Sequence, residues 1–276
     1  MDFATIIGLA LAFGAVILSA FLGDLEFKTL LQPSAIILVI GGTFGATLIS
    51  FPLRTFLTGF IGGFRTAFRE PVYHEREIIA TLVSFAEKAR REGLLALENE
   101  AAALEDEFMS KGIQLVIDGR DTDIIRKILE TEVGFVQERG AKSEAVFGTL
   151  GGYSPTLGII GTVLGLIGML KALGPGAAGG GSIAGTLGNA TAEAFVATFF
   201  GILLANLLWL PLSSKIKERN AQLMMLREIM IEGILSIQAG DNPRLLEEKL
   251  HAFLDPNDRA SDVEEGGAVG EPSYQN

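Results

Sequence analysis

Residues 150–170, LGGYSPTLGIIGTVLGLIGML, and residues 190–212, ATAEAFVATFFGILLANLLWLPL, decide how this chain folds. Each run is long and apolar enough to cross a bilayer as a helix of ~20 residues. Each also carries a proline, Pro155 near the start of the first and Pro211 near the end of the second. A proline inside a helix frees the carbonyl four residues back, here Gly151 and Leu207. Lipid cannot satisfy such a group, so it needs water, a hydroxyl or an ion. Thr162 and Thr198 supply hydroxyls within these helices, and no acid or base lies between Pro155 and Leu170. Freed carbonyls and buried threonines together read as part of an ion path. Thr162 lies two turns beyond Pro155 on the same face, so both can address one cavity.

The rest of the chain fits a membrane setting. Of 276 residues 34 are glycine, and the mean hydropathy is +0.40. That is too apolar for a soluble domain of this size, and small residues suit packed membrane helices. The net charge of −11 and the absence of a basic patch with interleaved aromatics argue against nucleic acid. With no cysteine, a disulfide framework, a thiolate metal site and a cysteine nucleophile are all excluded.

Residues 1–23 lack a basic leader, and their apolar run is too long for a signal-peptide core. They read as a retained first span, with Gly8, Ala12, Ala15 and Ser19 on one small-residue face. A second span is expected over 34–53 after Pro33, with GGTFGA as another close-packing face. The third and fourth spans are expected over 147–171 and 191–213, joined by a flexible, uncharged link over 172–190. Gly158, Gly161, Gly165 and Gly168 are placed to pack against another helix.

Lys and Arg number one in the link after the first span, thirteen in 53–149, one between the third and fourth spans and seven after 212. Positive residues collect on the cytoplasmic side, so both termini and the large middle segment are expected there. The chain therefore reads as all-α: four transmembrane helices and a helical cytoplasmic domain.

The middle segment, 54–146, opens with Phe56, Phe60, Phe64 and Phe68 at every fourth position, flanked by Arg54, Arg65 and Arg69. This pattern suggests a helix lying in the headgroup plane, although an amphipathic helix packed on its own domain would look the same. Helical periodicity continues from Glu75 to Lys111, with Gly93 and Gly112 as expected breaks. Asp121 is placed to cap a helix running on into the third span. A basic stop follows Pro211, then a helix ending at Gly240, one capped by Asn242, and disorder over 255–276.

Enzymatic constellations are absent: His74 and His251 are far apart, and there is no nucleotide loop, HExxH motif or nucleophile elbow. The two histidines read as solvated surface residues. The third span has no carboxylate, and the fourth has only Glu193, read as interfacial. An ion path normally uses an intramembrane acid, so a second protein must bring one.

YSPTLGIIGTVLGL, AFVATFFGILLANLLWLPL, ARREGLLALE and LREIMIEGILSIQAG resemble segments of the MotA/PomA family of flagellar stator subunits. The wider group includes ExbB and TolQ. The resemblance implies an inner-membrane homopentamer around two copies of MotB, which supplies the ion-binding aspartate and a peptidoglycan anchor. It implies ion-driven torque on the rotor protein FliG. By the same resemblance Pro155, Pro211 and Thr198 serve coupling, and Arg90 and Glu98 engage charges on FliG. Threonine at the place of Thr162 is typical of sodium-driven members, so the reading favours transient Na+ at Thr162 and Thr198 over the proton, with no structural metal and no cofactor. An ExbB- or TolQ-type motor energising the outer membrane and a passive membrane scaffold are the alternatives. The first has three spans rather than four, and the second leaves the prolines and threonines unexplained.

Overall fold

A computed structural model describes residues 2–23, 27–69, 75–172 and 183–254. His74, much of the link after the third span and the tail 255–276 lie outside the described residues. All regular structure among the described residues is helical. Among the described residues, four helical stretches are long and apolar enough to cross a membrane, as the composition required.

The chain divides into two units: residues 1–70 with 138–220, and residues 71–137 with 221–276. The first unit holds α1 (Phe3–Leu22), α2 (Pro33–Ser50) and α3 (Leu53–Phe68). It also holds the second part of α7 (Thr122–Ala172), all of α8 (Ile183–Leu204) and the start of α9 (Leu210–Ala239). A π turn, Ala205–Trp209, joins α8 to α9. A second, Ile37–Gly41, lies within α2. The helix Ile183–Leu204 starts inside the stretch expected as a link, and no break separates the fourth span from the helix beyond Pro211.

Small residues bring the third and fourth spans together. A Cβ on Gly158 would lie 3.0 Å from Thr198 Cα, and one on Gly165 would lie 2.7 Å from Ala194 Cβ. Gly161 faces Ala197 in the same way, whereas Gly168 meets nothing within 4 Å. The partners Ala190, Ala194, Ala197 and Gly201 recur at i, i+4, i+7 and i+11, so the fourth span offers its own small-residue stripe to the third. A Cβ on Gly8, Gly41 or Gly45, expected on packing faces, would meet nothing within 4 Å among the described residues, while Gly42 receives Leu157.

The phenylalanine stripe of α3 faces protein. Phe60 stacks on Phe147 at 5.5 Å, and Phe44 of α2 makes edge contacts with Phe56 and Phe60 at 6.2 and 5.6 Å. Trp209 completes the cluster, 5.8 Å from Phe44. The stripe therefore faces other helices of the first unit, not a separate domain of the middle segment. Burial favours this packing, because each ring gains both area and aromatic contacts.

The second unit is a helical domain with its own apolar core. α4 (Glu75–Glu92) ends at Gly93, whose φ of 87° is left-handed and suits glycine. A 3₁₀ turn, Leu94–Leu97, leads to α5 (Glu98–Ala103) and α6 (Glu107–Ile117). The second expected break, at Gly112, does not occur. Gly112 is buried inside α6, where a Cβ would lie 2.3 Å from Ile234 Cδ1. Its smallness serves packing, and the chain breaks instead before Asp106, whose carboxylate accepts from Met109 N–H at 2.9 Å. Asp106 also accepts from Arg227, which lies over the Phe108 ring at 4.5 Å. Asp121 accepts from Asp123 N–H at 2.9 Å at the start of α7. Asn242 caps α10 (Pro243–His251). His251 is half-buried and engaged, not a bare surface residue.

Candidate ion-path site

The two threonines singled out by their span positions meet. Thr162 Oγ1 and Thr198 Oγ1 are hydrogen-bonded to each other across α7 and α8. Thr162 Oγ1 also lies 3.3 Å from the carbonyl oxygens of Gly158 and Ala194, either of which can accept its single proton. Thr198 reaches the same two carbonyls, at 3.2 and 3.5 Å. Each hydroxyl thus engages the carbonyl four residues back on its own helix and its counterpart on the neighbour. Four oxygens converge at one level, and hydroxyls that donate a proton keep lone pairs to offer. The cluster sits where it does because Gly158 and Gly201 let the helix backbones approach; a larger residue would hold the hydroxyls apart.

The carbonyl expected to join this cluster does not. Pro155 sits within the uninterrupted helix α7. The carbonyl it frees, on Gly151, lies eleven residues before Thr162, or roughly 16 Å along the axis at 1.5 Å per residue. Gly158 and Ala194 supply the carbonyls instead. Between the two levels, on the same face as Thr162, sits Ser154, fully buried, its hydroxyl without a hydrogen-bond partner among the described residues. Pro211 stands two residues beyond the π turn Ala205–Trp209, the kind of irregularity a proline imposes on a helix. With α8 beginning at Ile183, Glu193 lies inside the helix and next to Ala194; it is half-buried, and its carboxylate accepts a hydrogen bond from Ser34 at the start of α2.

Sequence reasoning missed an ionic cluster. Asp2 and Arg219 are each only 8% exposed. The Asp2 carboxylate caps α1 by accepting from Thr5 N–H at 3.2 Å, and it pairs with both Lys215 and Arg219 of α9. Arg219 also donates to the Thr66 carbonyl at 2.7 Å, and Asp2 N–H donates to the Phe68 carbonyl at 3.3 Å. The Lys215 ammonium hydrogen-bonded to it holds the Asp2 carboxyl well below the usual carboxylate range, against the opposing effect of burial. The available signal was a lone acid one residue before the first span, three residues ahead of a threonine.

Arg90 and Glu98 lie in the second unit, one in the last turn of α4 and the other at the first position of α5. Both flank the Gly93 turn, with Leu95 on the same turn 73% exposed. Neither makes an ion pair among the described residues.

Four spans and a hydroxyl–carbonyl cluster between the last two, which no carboxylate joins among the described residues, define a polytopic membrane subunit of the ion-conducting kind. Two family models match, the MotA/TolQ/ExbB proton channel family over residues 100–229 and the motility protein A N-terminal domain over residues 6–93. Motility protein A of Bacillus subtilis (strain 168) is 37% identical over 269 residues, covering 97% of this chain and 96% of its own. Chemotaxis protein PomA of Vibrio alginolyticus is 32% identical, with 96% and 100% covered. The structure of the flagellar MotAB stator complex from Bacillus subtilis superposes with a TM-score of 0.85 at 36% identity, over 95% of this chain and 100% of that one. The chain belongs to the MotA/TolQ/ExbB family, and within it to the motility protein A branch.

Proposed function

We propose that the chain is a flagellar stator subunit that conducts ions together with a MotB-type partner and turns ion-motive force into torque on FliG. The observation that carries this reading is the convergence of Thr162, Thr198 and two carbonyls in a cluster that no carboxylate joins among the described residues. Such a cluster can strip and pass a cation only if an acid is brought to it, which is the partner's part. Family membership and the likeness to a solved MotAB complex support the same partner.

In this reading five copies surround two partner helices, α7 and α8 face inward, and α1 and α2 face lipid. The protein resides in the inner membrane with both termini in the cytoplasm, and its role is not enzymatic. Pro155 and Pro211 serve as flexure points for coupling. Four oxygens at one level suit a partly dehydrated sodium ion better than a bare proton relay, so Na+ is the proposed ion. Arg90 and Glu98, on either side of one turn of the second unit, present opposite charges to FliG. Imaging of the chain purified with its partner tests the assembly: five copies around the partner are expected, and a dimer or tetramer would sink the reading.

A further inference from the structure

We propose that the outward face of α3 is a docking surface for acidic phospholipid headgroups. The helix touches one end of every span in its unit. Pro52, its N-cap, follows Ser50 at the end of α2. Gly59 lies against Lys142, Ser143 and Val146 of α7, where a Cβ would meet Val146 at 3.1 Å. Gly63 lies against Phe147 and Ile216. The carbonyls of Thr66 and Phe68 receive Arg219 and the Asp2 N–H, just ahead of α1. These contacts lie at the starts of the first and third spans and the ends of the second and fourth, so α3 crosses the bundle at a single membrane boundary.

Its inward side is filled by Phe56, Gly59, Gly63 and Ala67, all buried. The outward side carries a second apolar row, Leu53 at 64%, Leu57 at 46% and Ile61 at 66% exposure. Arg54 and Arg65, both exposed, fall on the same side. At 3.6 residues per turn all five positions lie within an arc of roughly 120°. Neither arginine is ion-paired among the described residues, and no acid occurs from Phe51 to Arg69 in a chain of net charge −11. An aliphatic row edged by guanidinium groups at a membrane boundary matches the acyl–headgroup border, where the aliphatic groups enter and the arginines reach phosphates. Charge selects acidic lipids over zwitterionic ones. This surface differs from the Phe stripe, and the inference rests on the membrane-spanning fold, not on the stator reading.

The chain has no cysteine, so Ile61→Cys carries a single nitroxide on the full-length protein in nanodiscs. Oxygen, which partitions into lipid, should reach the label, and an aqueous nickel chelate should not. The protein should retain phosphatidylglycerol over phosphatidylcholine, with each arginine contributing about fivefold to that preference and the two about thirtyfold. Arg54→Gln with Arg65→Gln should remove this preference, while Lys127→Gln in the other unit leaves it intact. In the unaltered protein the preference should weaken as salt rises. Shielding of the label from both reagents would mean that another copy or another protein covers the face, and would overturn the proposal. So would full access for nickel, or a lipid preference that ignores both salt and the arginines.

Discussion

Gly201→Ala tests the packing that creates the hydroxyl cluster. A Cβ at this position would lie 2.7 Å from the Ser154 carbonyl oxygen, 3.0 Å from Gly158 Cα and 3.2 Å from Gly158 N. All three are backbone atoms of α7 and cannot rotate away. Restoring ordinary van der Waals contact requires the helices to part by roughly half an ångström. Thr198 Oγ1 reaches the Gly158 carbonyl at 3.2 Å, so the same movement carries that bond beyond useful range. Overpacking of this kind costs about 1–3 kcal/mol. For a chain of this size the melting temperature falls by roughly 2–4 °C per kcal/mol. Thermal unfolding in detergent should show that fall, and ion flux through the assembled complex should drop with it. Gly45→Ala, which meets nothing within 4 Å, is the matched control and should leave both unchanged. If Gly201→Ala melts and conducts like the unaltered protein, close approach of α7 and α8 is not what holds the site together.

Charge reversal at the Gly93 turn should act on the rotor alone. Single exposed charges contribute about 0.2–1 kcal/mol, so Arg90→Glu with Glu98→Lys should lower torque sharply while membrane assembly persists, and compensating reversals on FliG should restore it; normal rotation of the double variant would place the contact elsewhere. Asp2→Asn should destabilise the chain at neutral pH by about 3–5 kcal/mol, because it strands Lys215 and Arg219. Since the folded Asp2 carboxyl titrates below its unfolded value, its contribution is fully present at neutral pH and is lost as pH falls below about 4. Unfolding followed against pH should therefore show an acid-side decline that the Asn variant lacks in part; identical curves would refute a stabilising role for the pair.

Four spans and a close-packing glycine face on α7 were legible because apolar length and glycine spacing are local signals, and Thr162 and Thr198 stood out as lone hydroxyls within those spans. Which carbonyls join the hydroxyls was not legible. Proline marks the carbonyl it frees, but the partners of Thr162 are fixed by where Gly158 and Gly201 let two backbones touch. The stripe of Ala190, Ala194, Ala197 and Gly201 could have been read by the same spacing rule applied to the first span. Gly112 shows the opposite error, since a glycine inside an amphipathic pattern marks close packing as readily as a break. The Asp2 cluster joins residues more than two hundred positions apart and leaves almost no pattern. The Phe stripe of α3 was visible, but which medium it faces depends on Phe44, Phe147 and Trp209, which lie on other helices.

The most direct test of the central claim is the rotation speed of cells lacking their own stator A subunit and expressing this chain with its MotB-type partner, followed against sodium at fixed membrane potential. Rotation that rises with sodium, and a Thr162→Ala variant that needs more sodium for the same speed, is the predicted result. Assembled complexes that give no rotation would contradict the stator reading. Rotation indifferent to sodium in the unaltered chain would make the ion a proton and leave Thr162 as a clasp between two helices.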